Sequence, residues 1–108
     1  MTLIAAVVAI ALPAGGHCDQ RHVPACIHAA ARRWHVSESL LRRRAWCESR
    51  YDPYARNSQS GASGVFQFLP STWRTTPYRR RSIWSAKYNS RAAAWMEHVG
   101  RGGEWTCR

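Results

Sequence analysis

The sequence predicts a single, mostly α-helical domain with a long central loop and two disulfides. Three observations predict it. Apolar residues recur at helical spacing in three stretches, no stretch alternates with the period of a strand, and four cysteines fall in a short chain. At 108 residues there is room for one domain only. A domain this small buries a modest share of its surface, so covalent staples help it. Six tryptophans, four tyrosines and two phenylalanines argue for a folded globule rather than a disordered tail.

Residues 1–16, MTLIAAVVAIALPAGG, are almost wholly apolar. The run is too short to span a bilayer comfortably but suits the hydrophobic stretch of a signal peptide. Ala14, Gly15 and Gly16 offer a small-residue cleavage site. The expectation is therefore a leader over 1–16 and an exported, monomeric domain over 17–108 with no stable membrane anchor. No Lys or Arg precedes the run, which keeps a truncated start or a buried first helix open. A lipoprotein anchor at Cys18 is disfavoured, because His17 stands where a small residue belongs.

Cys18, Cys26, Cys47 and Cys107 make an even count in a chain that reads as exported, which points to two disulfides. Of the three connectivities, Cys18–Cys26 with Cys47–Cys107 is preferred. The second would tie the last residues to the middle of the chain, a closure worth roughly 4 kcal/mol in the chain-entropy picture. A zinc site from His17, Cys18, His22, Cys26 and His28 is the sharper alternative, but its spacing matches no standard finger or ribbon. No metal and no cofactor is expected.

The first helix places Ile27, Ala30, Ala31 and Trp34 on one face, with Pro24 suited to its first turn. The second starts after Ser37 as N-cap, and its inner face reads Leu41, Ala45, Glu48. It should stop before Asp52–Pro53. Residues 51–64 read as a loop, followed by a short helical piece from about Val65 and a restart at Pro70 that includes Trp73. The last helix carries Ala92, Trp95, Met96 and Val99 on one face, with Asn89 as its N-cap and Gly100 at its end. Trp34, Trp73 and Trp95 sit at core phases. Tyr54, Tyr78 and Trp84 lie in loops, where they would be free to stack on a ligand.

Net charge is +10, carried by fifteen arginines and one lysine. That balance calls for a polyanionic partner without choosing among nucleic acid, anionic lipid and acidic wall polymer. The Arg42–Arg44 run reads as a solvated helix face, and Arg79–Arg81 as a basic loop. Only six acids are present: Asp19, Glu38, Glu48, Asp52, Glu97 and Glu104. A general acid needs a pKa lifted toward neutrality, and partial burial among apolar groups is the usual way to lift it. Glu48 is the one acid whose helical phase points it at the core, although the same phase would suit a structural carboxylate paired with an arginine.

The local sequence goes further. Glu48-Ser49-Arg50-Tyr51-Asp52-Pro53 is followed by Ser60-Gly61-Ala62-Ser63-Gly64-Val65-Phe66-Gln67-Phe68-Leu69-Pro70-Ser71-Thr72-Trp73. This pair of segments resembles the lytic transglycosylase SLT family, with its E-S step, loop and G-[LVI]-[MF]-Q-[LIF]-x-P element. Trp34-His35-Val36-Ser37 leading into Leu40-Leu41 also resembles the family's opening. The stretch from Asn89 to Cys107 is similar to the ending of small actinobacterial members.

The resemblance covers about residues 24–107. It implies a lysozyme-like fold with peptidoglycan glycan strands as substrate. On that reading Arg42–Arg44 together with Arg79–Arg81 would attract the anionic wall polymers through stem-peptide carboxylates and teichoic phosphates, and the leader and paired cysteines point to a secreted location with no nucleic-acid role. By the same resemblance Glu48 matches the catalytic acid, Ser49 the serine beside it, and Gly64 and Gln67 the G-x-x-Q element that contacts sugar. Larger members carry an A-Y-N motif. Here Ala86-Lys87-Tyr88-Asn89 is interrupted by a lysine, so Tyr88 is the weakest candidate and Trp105 its substitute.

The implied chemistry is cyclisation, in which the muramic acid C6 hydroxyl attacks C1 and no water nucleophile is needed. A hydrolytic lysozyme would need a second carboxylate, about 5–5.5 Å away for retention or about 6.5–9.5 Å for inversion. Asp52 is the sequence-near candidate, though Pro53 argues that it turns the loop instead. A basic nucleic-acid-binding module is the main non-enzyme alternative, opposed by the paired cysteines and the leader. A cysteine peptidase at Cys47 would need a strand-bearing scaffold.

Overall fold

The computed structural model describes residues 16–107. The described residues form four helices, α1 (Val23–Trp34), α2 (Glu38–Ser49), α3 (Pro70–Trp73) and α4 (Ala86–His98), followed by a 3₁₀ turn at Gly102–Glu104. The fold is mostly helical and lysozyme-like, and the described residues form no strand longer than isolated bridges. Residues 1–15 of the expected leader lie outside the described residues. No helix among those described is long and apolar enough to cross a membrane.

α1 carries Pro24 in its first turn, and His35 ends it in the left-handed region at φ 55°. Its buried face includes Val23, Ile27, Ala30 and Ala31 and packs chiefly against α4, whose Ala92, Ala93 and Ala94 are also fully buried. Small residues on both helices let the backbones lie close. Ser37 caps α2 by accepting the Leu40 N–H at 3.2 Å. Glu38 in its first turn binds His28 at 2.6 Å and Arg42 at 2.7 Å.

α2 ends at Ser49 because Arg50 and Tyr51 both take left-handed φ values, 55° and 64°, ahead of Asp52–Pro53. The expected helical piece at Val65 is a turn instead. Ser63 and Phe68 exchange both backbone hydrogen bonds, at 2.9 and 3.0 Å, and the four residues between them must close a tight loop. That closure puts Gln67 at φ 53° and Gly64 at φ 83°. A Cβ on Gly64 would overlap the Asn89 amide and the Ile83 carbonyl, so no other residue fits without displacing them.

Two further expectations need correction. α4 begins at Ala86 and is capped not by Asn89 but by Ser85, four residues earlier, which accepts the Tyr88 N–H at 3.2 Å. Asn89 is fully buried inside the helix. Its Oδ1 accepts the Phe66 N–H at 2.8 Å while its amide nitrogen donates to the Ile83 carbonyl at 2.8 Å. One side chain thus satisfies backbone groups on two loops that no ladder reaches. Tyr78 is likewise no free loop aromatic, since it is buried and accepts the Trp34 Nε1–H at 2.9 Å.

Both disulfides form with the expected pairing. Cys18–Cys26 clips the entry to α1 and takes the two sulfurs that the zinc alternative required. Cys47–Cys107 joins residues 60 apart and lays the tail across the last turn of α2.

Candidate active site

The last turn of α2 presents Glu48 to a cleft of about 460 Å³. The 55–72 segment supplies Asn57, Ser60, Gln67, Phe68 and Thr72 to its walls, and the tail supplies Glu104, Trp105 and Thr106. Phe68 and Trp105 meet edge to face at 5.4 Å, so the floor is aromatic and held rigid. Glu48 is partly buried, and no hydrogen bond or ion pair holds its carboxyl among the described residues. Burial pushes that carboxyl above the ordinary glutamate value, and the Arg44 guanidinium one turn earlier pulls it part of the way back.

Arg44 is the residue that the sequence misplaced. The Arg42–Arg44 run splits three ways: Arg42 pairs with Glu38, Arg43 is exposed, and Arg44 is only 4 % exposed. Its Nη1 donates to Glu97 Oε2 at 3.2 Å, its Cζ stands 4.8 Å from the Trp105 ring centroid, and its Nε is buried with no hydrogen-bond partner among the described residues. A single, long contact to Glu97 leaves part of the guanidinium's field for Glu48. A Cβ on Gly102 would overlap the Glu97 carboxylate, so the glycine lets the 3₁₀ turn close over this pair. The i to i+4 spacing of Arg44 and Glu48 was the one available signal.

The sequence-predicted residues divide. Gln67 lines the cleft with Glu48, and its Nε2 donates to the Ala55 and Gly64 carbonyls, both at 3.0 Å, which fixes the side chain across the loop. Ser49 points the other way. It is buried and donates to the Val65 carbonyl at 2.7 Å, pinning the 63–68 turn to the end of α2. Gly64 is buried beneath the turn rather than in the cleft wall.

Tyr88 lies outside the cleft lining, under the guanidinium groups of Arg81 and Arg91 and the ammonium of Lys87. Trp105 does line it, and its Nε1 donates to the Phe66 carbonyl at 2.8 Å. Asp52 is exposed and accepts the Tyr54 N–H at 2.8 Å, closing a local turn. The second carboxylate on the cleft rim is Glu104, gripped by Arg101 at 2.6 and 3.2 Å, and that hydrogen-bonded pairing holds it below the ordinary value.

The family model described as the transglycosylase SLT domain matches residues 25–96, well over half of the chain. No curated protein and no solved structure matches it.

Proposed function

Because the chain belongs to the transglycosylase SLT domain family, we propose that it cleaves the MurNAc–GlcNAc β-1,4 bond of peptidoglycan, with Glu48 as the acid and base of a cyclising reaction. Family membership carries a transglycosylase-type, peptidoglycan-related function. The observation that supports Glu48 is its position: a partly buried, unpaired carboxyl with a raised pKa at the wall of an aromatic-floored cleft.

Glu48 in its neutral form donates its proton to the glycosidic oxygen as the C1–O bond breaks. The leaving sugar departs as an alcohol. The Glu48 carboxylate, now beside Arg44, accepts the proton of the muramic acid C6 hydroxyl as that oxygen bonds to C1, closing the 1,6-anhydro ring and restoring the acid. A group that must serve as acid and then base works best with a pKa between the two extremes. Opposed effects of burial and Arg44 on Glu48 fit that need. Gln67 and Trp105 are proposed to hold the sugar, Gln67 by its free amide oxygen and Trp105 by the apolar edge facing the cleft. Ser49 and Gly64 act by positioning, since both hold the 63–68 turn against α2. The positions of Asp52 in its turn and Glu104 on Arg101 support a single-acid reaction over hydrolysis. A substrate outside the cytoplasm and two disulfides fit a secreted enzyme.

Mass spectrometry of the soluble products from purified peptidoglycan tests the reading, with Glu48→Gln as the control. Anhydromuropeptides that vanish with the variant are expected. Reducing-end products one water heavier would instead make the protein a hydrolase, and Glu104 and Asp52 would be the acids to replace next.

A further inference from the structure

The cations of this chain are unevenly answered. Asp19 faces His17 and His22, Glu38 holds His28 and Arg42, Glu97 takes Arg44 and Glu104 takes Arg101. Glu48 stands in the cleft and Asp52 in its turn. Most of the remaining arginines and the one lysine have no ion pair among the described residues, and of these unpaired cations Arg79, Arg80, Arg81, Lys87 and Arg91 form a group.

These five are gathered in one place. Arg81 Cζ, Lys87 Nζ and Arg91 Cζ stand 4.9, 5.3 and 5.7 Å from the centroid of the same Tyr88 ring. Arg79, Arg80 and Arg81 line one concave surface with Pro77. The ring that organises them is anchored from behind. Tyr88 packs on Tyr78 at 5.9 Å, and the Tyr78 hydroxyl is fixed by the Trp34 indole. The patch also caps the first turns of α4, where the helix dipole adds positive potential. Holding so many like charges together is costly unless an outside anion neutralises them.

We propose that this face docks a linear phosphodiester polymer of the bacterial wall, and so holds the enzyme where its glycan substrate lies. The wall source rests on the functional reading above. Three features select this partner. A row of adjacent guanidinium groups matches a chain of regularly repeated anions better than a lone carboxylate, and guanidinium pairs well with phosphate oxygens. Single-stranded nucleic acid binds through open aromatic faces on which bases stack, whereas cations already cover the Tyr88 ring. Membrane surfaces want apolar anchors beside the charge, and the exposed large apolar side chains, Trp46, Tyr54, Leu69 and Val99, belong to other segments.

The test is binding of the oxidised full chain to poly(glycerol phosphate), read by calorimetry across a salt series. Three variants are compared: R79Q/R80Q/R81Q, K87Q/R91Q, and R32Q/R33Q/R43Q, which removes three exposed charges from α1 and α2. The first should weaken binding about tenfold or more at moderate salt and lower the log–log salt slope by roughly two to three. The second should weaken it in the same direction, and the α1/α2 control should change it little. Equal losses for the patch triple and the control triple would overturn the proposal, leaving only long-range net charge. Tighter binding to an oligothymidylate of equal charge, or to anionic phosphatidylglycerol vesicles, would overturn it in favour of nucleic acid or membrane. The probe holds no glycosidic bond between sugars, so failure here is distinct from failure of the cleavage assay.

Discussion

Of the aromatic rings that have arginines over them, Trp105 and Tyr88 live in opposite surroundings. Trp105 is 7 % exposed, with one buried guanidinium above it that is answered by Glu97 and lies one helical turn from Glu48. Tyr88 is half-buried, with three cations around it and, among the described residues, no carboxylate paired with them. The contact geometry is nearly the same in both, at 4.8 Å and 4.9 Å for Arg44 and Arg81. Burial is what separates them. In the low-dielectric cleft one charge acts strongly on its neighbour and must be nearly balanced within the fold. At the surface water screens each charge, so several can be kept for a partner outside.

The contrast can be broken most strongly at Trp105. Trp105→Ala removes the cleft floor and uncovers Arg44, and should cost about 3–5 kcal/mol in denaturant titration. Tyr88→Ala at the half-exposed ring should cost only about 1 kcal/mol. Equal losses would mean that the two rings are packed alike. Next comes the strap that brings Trp105 to the cleft. C47S/C107S releases a 60-residue closure, and a loss of about 4 kcal/mol is expected, with cleavage falling as the tail leaves α2.

A smaller effect tests the charges themselves. Arg44→Met takes away the interaction that lowers the Glu48 pKa, so Glu48 stays protonated to higher pH. The alkaline limb of kcat/KM should then move upward, whereas Arg81→Met should leave it in place. An unmoved limb in Arg44→Met would remove Arg44 from any role in tuning the acid. The smallest effect is on stability. Folded Glu48 holds its proton above the ordinary glutamate value, so the unfolded chain binds fewer protons and stability falls as pH rises through that window. Glu48→Gln should therefore melt slightly higher than the parent at neutral pH, with the difference vanishing below the ordinary glutamate value.

Much of this was legible in the sequence because it is local. Helical period placed Ile27, Ala30, Ala31, Leu41, Ala45, Ala92 and Met96 inside, and all are buried. Ser37 reads as a cap from its neighbours alone, and it is one. Glu48 on the apolar stripe of α2 needed only a helical phase to be singled out. The misreadings fall where a residue's role is set by a distant segment. Asn89 looks like a cap because Asn suits caps, yet it bonds residues 63, 66 and 83. Ser49 shares a motif with Glu48 and Gly64 shares one with Gln67, but only Glu48 and Gln67 reach the cleft.

The sequence by itself determined the three long helices, the Ser37 cap, the expectation that four cysteines form two bridges and the position of the acid on its helix, since each depends on residues within a turn or two or on a count of groups that must pair. The tertiary structure alone decided that Arg44 is buried and Arg43 is not, that Trp105 floors the cleft, and that Arg81, Lys87 and Arg91 meet at Tyr88. Those outcomes depend on which segments come together in space. A charge has no fixed environment until the elements around it have closed.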